Sequence, residues 1–128
     1  MIEQGLQQEI NMVMTEARNR RLEFVTVEHL LLALLNMDEV IAFLRGKRVN
    51  IDELRAELDQ YIDSHTPIIS EDAEIDIVPT VGFQRVLQRS VYQAQSAQKN
   101  SVNAMNVFVS IFSEKESHAV YMLKLNNI

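Results

Sequence analysis

The sequence is poor in the residues on which most recognisable chemistry depends. It has no cysteine, which excludes a disulfide framework, a thiol nucleophile and a thiolate metal site. Its three glycines, Gly5, Gly46 and Gly82, each stand alone. A phosphate-cradling loop needs closely spaced glycines followed by a lysine, and a dinucleotide fingerprint needs glycines two and three residues apart, so neither can be assembled. Positive charge is in deficit, with 12 Lys and Arg against 18 Asp and Glu and a net charge of -6. That balance argues against general binding to a phosphate backbone. No apolar run approaches the roughly 20 residues of a membrane span, and no basic segment followed by an apolar stretch opens the chain. What remains is 128 residues, 47% hydrophobic and 23% charged, which predicts one soluble cytoplasmic domain large enough to bury a core.

The apolar periodicity is helical almost throughout. Leu6, Ile10, Val13, Met14 and Ala17 recur at three- and four-residue spacing and give one stripe on a first helix over about residues 2–20. Thr26 is a suitable N-cap for a second helix, with Glu28 in its first turn near the positive end of the dipole. The run TVEHLLLALL is apolar on nearly every side, which predicts a central position. Asn36 with Glu39 reads as a capping box opening a short third helix that Gly46 can terminate, and Asn50 with Glu53 as another opening a fourth to about Ser64. Residues 65–79 break the pattern. Four carboxylates, Glu71, Asp72, Glu74 and Asp76, lie between the prolines, which predicts a solvated acidic linker, with a short edge strand at Ile75–Val78 as the competing reading. A fifth helix is expected from about Thr80 to Lys99 and a sixth from Asn103 to Phe112. Ser113 with Glu116 reads as a capping box opening a seventh through Met122 and Leu123.

The two halves read as one motif used twice. An offset of 77 residues pairs Leu6 with Phe83, Ile10 with Leu87, Met14 with Val91 and Ala17 with Ala94. Without a gap it also pairs Val25 with Val102, Leu34 with Ile111, Thr26 with Asn103, and Asn36 and Glu39 with Ser113 and Glu116. The fold expected is therefore all-α, a tandem repeat of a four-helix motif packed about a pseudo-twofold axis: repeat one over 1–64, the linker over 65–79, repeat two over 80–128. Repeat two stops where its fourth helix should begin, so the expectation is a fragment of a longer polypeptide.

Three segments, EFVTVEHLLLALL (Glu23–Leu35), PTVGFQRVLQRSV (Pro79–Val91) and VFVSIFSEKES (Val107–Ser117), closely resemble the N-terminal domain of the Clp ATPases, and the ClpA type best. The resemblance covers essentially the whole chain. It implies the mobile, all-helical, double-repeat head of a hexameric AAA+ unfoldase that feeds proteins to the ClpP peptidase. This head would dock the ClpS adaptor and protein substrates. The resemblance implies no catalytic role for the domain, with ATP and magnesium belonging to ATPase modules outside it. An isolated monomer that binds neither nucleic acid nor membrane is expected. The alternative is a regulatory domain that binds unfolded polypeptide directly and gates the hexamer.

Arg85 and Arg89, four apart, share one helix face, and no acidic residue occurs from Ile77 to Ser113. They pair with carboxylates of the first repeat, lie solvated, or form a docking patch of the kind in which arginine forks are enriched. The resemblance implies that Arg85 and Arg89, with Glu23, Glu28 and Thr80, contact the adaptor. Taken singly, Glu28 is a helix-start carboxylate, Glu23 a loop charge and Thr80 a helix cap. His29 reads as a packing histidine, since His65 and His118 lie far away in sequence. Met12, Met14, Met105 and Met122 read as core gap fillers rather than a peptide groove. Arg45, Lys47 and Arg48 read as cations at a helix C-terminus. Arg20 and Arg21 stand where some relatives have a histidine-containing turn.

Overall fold

The run TVEHLLLALL does lie at the centre of the molecule. In the computed structural model, which describes residues 1–71 and 76–128, Leu30, Leu31 and Leu34 are each buried to 1% exposure or less. Each such side chain contributes roughly 1.5–3 kcal/mol of burial. This run forms α2 (Val27–Leu34), between α1 (Gln4–Asn19) with the strand β1 (Phe24–Val25) and the helices α3 (Asp38–Gly46) and α4 (Ile51–His65). A second strand, β2 (Val78–Pro79), leads to α5 (Val81–Ser96), α6 (Ala104–Ile111) and α7 (His118–Leu125). The helix α1 packs on α2, and α5 on α6. The halves interlock crosswise, because α7 packs back on α2 and α3 packs forward on α6. At the latter contact the rings of Phe43 and Phe108 meet edge to face at 5.7 Å.

The helix starts follow from capping chemistry. Thr26, Asn50, Thr80, Asn103 and Ser117 each accept a backbone N–H with their side chains. At α2 the box is closed by a residue the sequence pattern does not flag. His29 N donates to Thr26 Oγ1 at 3.3 Å, and Thr26 N donates to His29 Nδ1 at 3.0 Å. Asn103 and Asn106 close the corresponding box at α6. The helix ends are less economical. Arg21, Arg48, Gln98 and Asn127 all adopt left-handed φ, near 60°, at the residue beyond a helix C-cap, and no glycine does. Each lies in a Schellman turn, such as Arg48 N to Arg45 O with Val49 N to Leu44 O. Gly46 is thus the last residue of α3, while the turn that ends the helix is made by Arg48.

The element bounds are consistent with the repeat. Both α1 with α5 and α2 with α6 are displaced by 77 residues at each end. The parallel pair Val25–Pro79 also has its counterpart in the parallel bridge Ile2–Val102, the same two positions with their halves exchanged.

Four expectations need correction. Asn36 and Glu39 do not box α3. The chain turns directly off α2, with Asn36 N bonded to Ala33 O and Met37 N to Leu34 O, so Met37 becomes the N-cap without a side-chain bond. Asn36 instead links Glu9 at 3.2 Å to Arg55 at 2.8 Å. Ser113 and Glu116 do not open α7 either. Ser113 N and Glu114 N bond back to Ser110 O and Ile111 O, the turn continues, and Ser117 becomes the cap. The ungapped offset therefore fails at the third helix. Third, the described part of 65–79 is not a free linker. Ile77 is buried, Ile68 bridges Leu22, and Asp76 holds Arg18 at 3.0 Å, a bond that lowers the Asp76 carboxyl below its ordinary range. Asp72, Glu74 and Ile75 lie outside the described residues. Of the edge strand expected at Ile75–Val78, Val78 does pair, with Phe24. Fourth, Met12 is 63% exposed rather than in the core, whereas Met122 is buried and Met14 and Met105 partly so.

Candidate functional site: a polar groove between the halves

Four of the five residues singled out by the resemblance converge. A groove of about 580 Å³ is lined by Glu28 at the start of α2, by Thr80, Gly82, Arg85 and Arg89 on α5, and by residues 113–118 leading into α7. Thr80 caps α5 by accepting from Phe83 N at 3.2 Å, and its own N–H donates to Val25 O at 2.9 Å. Glu23 is outside this lining. It is partly buried where its backbone joins Pro67 and Val78, at the far end of the two-strand ribbon.

The arginines do have a carboxylate, and it belongs to neither alternative weighed from the sequence. Glu114, the first residue beyond the acid-free stretch, accepts from Arg85 Nε at 2.9 Å and Arg85 Nη2 at 2.5 Å. Arg89 Nη1 lies 3.6 Å from the same carboxylate and donates to Ser110 O at 3.4 Å. The Arg85 hydrogen bond holds the Glu114 carboxyl below its ordinary range, and Glu114 in return raises the Arg85 guanidinium. The Glu114 side chain is 8% exposed, against 54% for Arg85 and 28% for Arg89, so the carboxylate lies beneath two cations that face solvent. Gly82 makes room for this. A Cβ there would come within 3.1 Å of Val27 Cγ2 and 3.3 Å of Glu114 Oε1.

Glu28 has a structural duty that its sequence position does not reveal. It is buried, and its Oε2 accepts from Ala119 N at 3.0 Å, satisfying a first-turn amide of α7 from a residue of α2. His29, beside it, is 2% exposed. Burial, helped by the Arg20 charge, lowers its pKa to about 4. Because Nδ1 accepts from Thr26 N, the neutral ring carries its proton on Nε2, which finds no partner among the described residues.

The far wall of the groove is aromatic. Tyr61 stacks on His118 with centroids 3.8 Å apart and on His65 at 4.1 Å, so the fold joins two histidines that are remote in sequence. Burial, with the Glu28 charge nearby, pushes the Tyr61 phenol above its ordinary value. A shallower groove of about 340 Å³ shares Tyr61 and His118 and continues over Tyr121, Met122 and Leu125. Among the described residues, no group of three or more His, Asp or Glu side chains is placed to hold a metal ion, and no helix is long and apolar enough to cross a membrane.

Sequence reasoning missed Glu114, Gly82, Ser117 and the Tyr61–His118 wall. One signal was present for the first three: 34 and 38 bound the connection from α2 to α3, whereas 111 and 118 bound that from α6 to α7. The longer second connection brings Glu114 and Ser117 to the groove.

Comparison with known proteins agrees with this architecture. Residues 1–126 match the Clp repeat (R) N-terminal domain family. Over 120 residues the chain is 37% identical to a ClpA homolog protein of Fuscovulum blasticum, covering 93% of this chain and 15% of that protein's length. The fold is shared with the Hsp104 N-terminal domain from Candida albicans, with a TM-score of 0.82 at 12% identity over 99% of this chain and 82% of that one. It is shared too with a chain from work on the ATPase ClpV and the TssB–TssC sheath, with a TM-score of 0.74 at 14% identity over 98% of this chain and 75% of that one. The chain belongs to the Clp repeat N-terminal domain family, the non-catalytic N-terminal domain of ClpA-type ATPases.

Proposed function

We propose that the polar groove is a protein-docking surface and that this domain receives a ClpS-type adaptor, and through it protein substrates, for a ClpA-type AAA+ unfoldase. The observation that carries the reading is the convergence of Thr80, Arg85 and Arg89 with the 113–118 connection in one groove, where two guanidinium groups face solvent. Paired arginines in a concave, partly desolvated setting are the usual anchors of a protein contact. The mixture of Arg85, Arg89, Lys115 and Glu116 at one mouth favours a polar, reversible contact that sets orientation and on-rate more than raw affinity. Glu28 serves this surface by holding α7 in place, and Glu23 adds an outlying contact at the end of the ribbon. Nucleotide hydrolysis, hexamer formation and delivery to a ClpP-type peptidase belong on this reading to the rest of a cytoplasmic protein of which this domain is the head.

A second reading, direct capture of unfolded polypeptide, draws on the shelf that continues from the groove, where Tyr121 is 56% and Leu125 63% exposed. The two differ in salt response. Calorimetric titration with a ClpS-type adaptor at low and high salt, with Arg89→Ala as control, is expected to give saturable 1:1 binding that weakens with salt and at least tenfold in the variant. Binding that ignores both salt and Arg89 would favour the apolar shelf.

A further inference from the structure

Glu114 occupies an unusual position for a surface carboxylate. It is the sole charged side chain bonded to either groove arginine among the described residues, and it lies under both. Its backbone cannot follow its side chain elsewhere. Glu114 N is bonded to Ile111 O, and Glu114 O accepts both Ser117 N at 2.9 Å and Ser117 Oγ at 2.7 Å. The same Ser117 Oγ caps α7 by accepting from Val120 N at 3.2 Å. Moving the Glu114 backbone would therefore disturb the start of α7, which Glu28 also secures. Gly82 closes the seat from the α5 side.

We infer that Glu114 is a positioning residue of the docking groove: it draws the Arg85 and Arg89 guanidinium groups together over one buried carboxylate, so that they meet a protein partner as a preformed fork that takes a single carboxylate. This rests on the docking reading above. Two guanidinium groups brought side by side repel each other unless a counter-charge lies between them. With Glu114 in place, the three groups carry one net positive charge on their solvent side, which one further carboxylate neutralises. Arg85 spends Nε and Nη2 on Glu114 and keeps Nη1 for a partner. Less side-chain freedom is then lost when the partner arrives.

The test is calorimetric titration of a ClpS-type adaptor into the wild-type chain and into Glu114→Gln, Arg85→Ala and Arg89→Ala, each at two salt concentrations. Glu114→Gln keeps the shape and makes the groove more positive. It is nevertheless expected to weaken binding about tenfold and to steepen the salt dependence, because the freed arginines then act as two loose charges. A purely structural defect would lower affinity without changing that slope, and would overturn the inference. Equal or tighter binding by Glu114→Gln, with both arginine variants weakened, would also overturn it while leaving docking intact. Binding indifferent to Arg85 and Arg89 would remove the docking reading itself. As a check independent of affinity, the Nε–Hε NMR signals of Arg85 and Arg89 are expected to be sharp and protected in the wild type and exchange-broadened in Glu114→Gln. Unchanged signals would count against positioning.

Discussion

The first turns of α1 and α5 are copies in backbone and opposites in chemistry. Glu3 N donates to Val102 O at 3.0 Å, as Thr80 N donates to Val25 O at 2.9 Å, and Gly5 stands 77 residues before Gly82. Yet the positions corresponding to Arg85, Arg89 and Glu28 are Gln8, Met12 and Met105. A Cβ on Gly82 would press on Val27 and Glu114, whereas one on Gly5 would meet nothing within 4 Å. The longer connection between α6 and α7 carries the difference, since it folds Glu114 against α5 where the shorter α2–α3 connection leaves the face of α1 open. A repeated scaffold thus supplies the same geometry twice, and a short loop extension makes one copy a polar groove.

Substitutions that make one half imitate the other sharpen this contrast. The largest effect is expected from the two capping boxes, His29 in one and Asn106 in the other. His29 has a folded pKa of about 4 against 6.5 unfolded. The unfolded chain therefore binds the extra proton as pH falls below 6.5, and stability drops until pH passes about 4, by about 3 kcal/mol for such a shift. His29→Asn, which copies the second box, should flatten that part of the acid slope in urea denaturation at several pH values. An unchanged slope would place the acid-sensitive group elsewhere.

Next is Glu28→Met, which copies Met105. It leaves Ala119 N–H buried without its acceptor and should cost about 2 kcal/mol, read as a lower urea midpoint at constant m-value. An unaltered midpoint would mean that α7 is held mainly by packing. Smaller again is the glycine pair. Gly5→Ala should stabilise by about 0.5 kcal/mol through helix propensity, while Gly82→Ala should lose that gain to its close contacts and loosen adaptor binding. Equal stabilisation by both would show that Glu114 is not tightly seated. The smallest effect is at the helix ends, where Arg48→Gly and Gln98→Gly should each stabilise by about 0.5–1 kcal/mol by relieving left-handed strain. Thermal melts resolve such changes, and a loss at either site would mean that the replaced side chain packs usefully.

Much of the fold was legible because it rests on local rules. Apolar spacing placed all seven described helices, and Thr26, Asn50, Thr80 and Asn103 marked four starts. The α7 start was misplaced because Ser113 and Ser117 are both acceptable caps, and only the turn running on from α6 decides between them. Of the site, Arg85, Arg89 and Thr80 were visible as types on one helix. Glu28's acceptor role lay hidden, since its donor, Ala119, is 91 residues away. The histidine–tyrosine stack was equally hidden, because ring contacts between α4 and α7 leave no trace in spacing.

The most direct test of docking at the polar groove is backbone amide NMR of the isotopically labelled domain during titration with a ClpS-type adaptor. Docking there predicts shifts concentrated at residues 80–89 and 113–119 and at the start of α2, with α1 and residues 103–106 of its pseudo-equivalent face unmoved. Shifts centred on that opposite face, or confined to the Tyr121–Leu125 shelf, would contradict it.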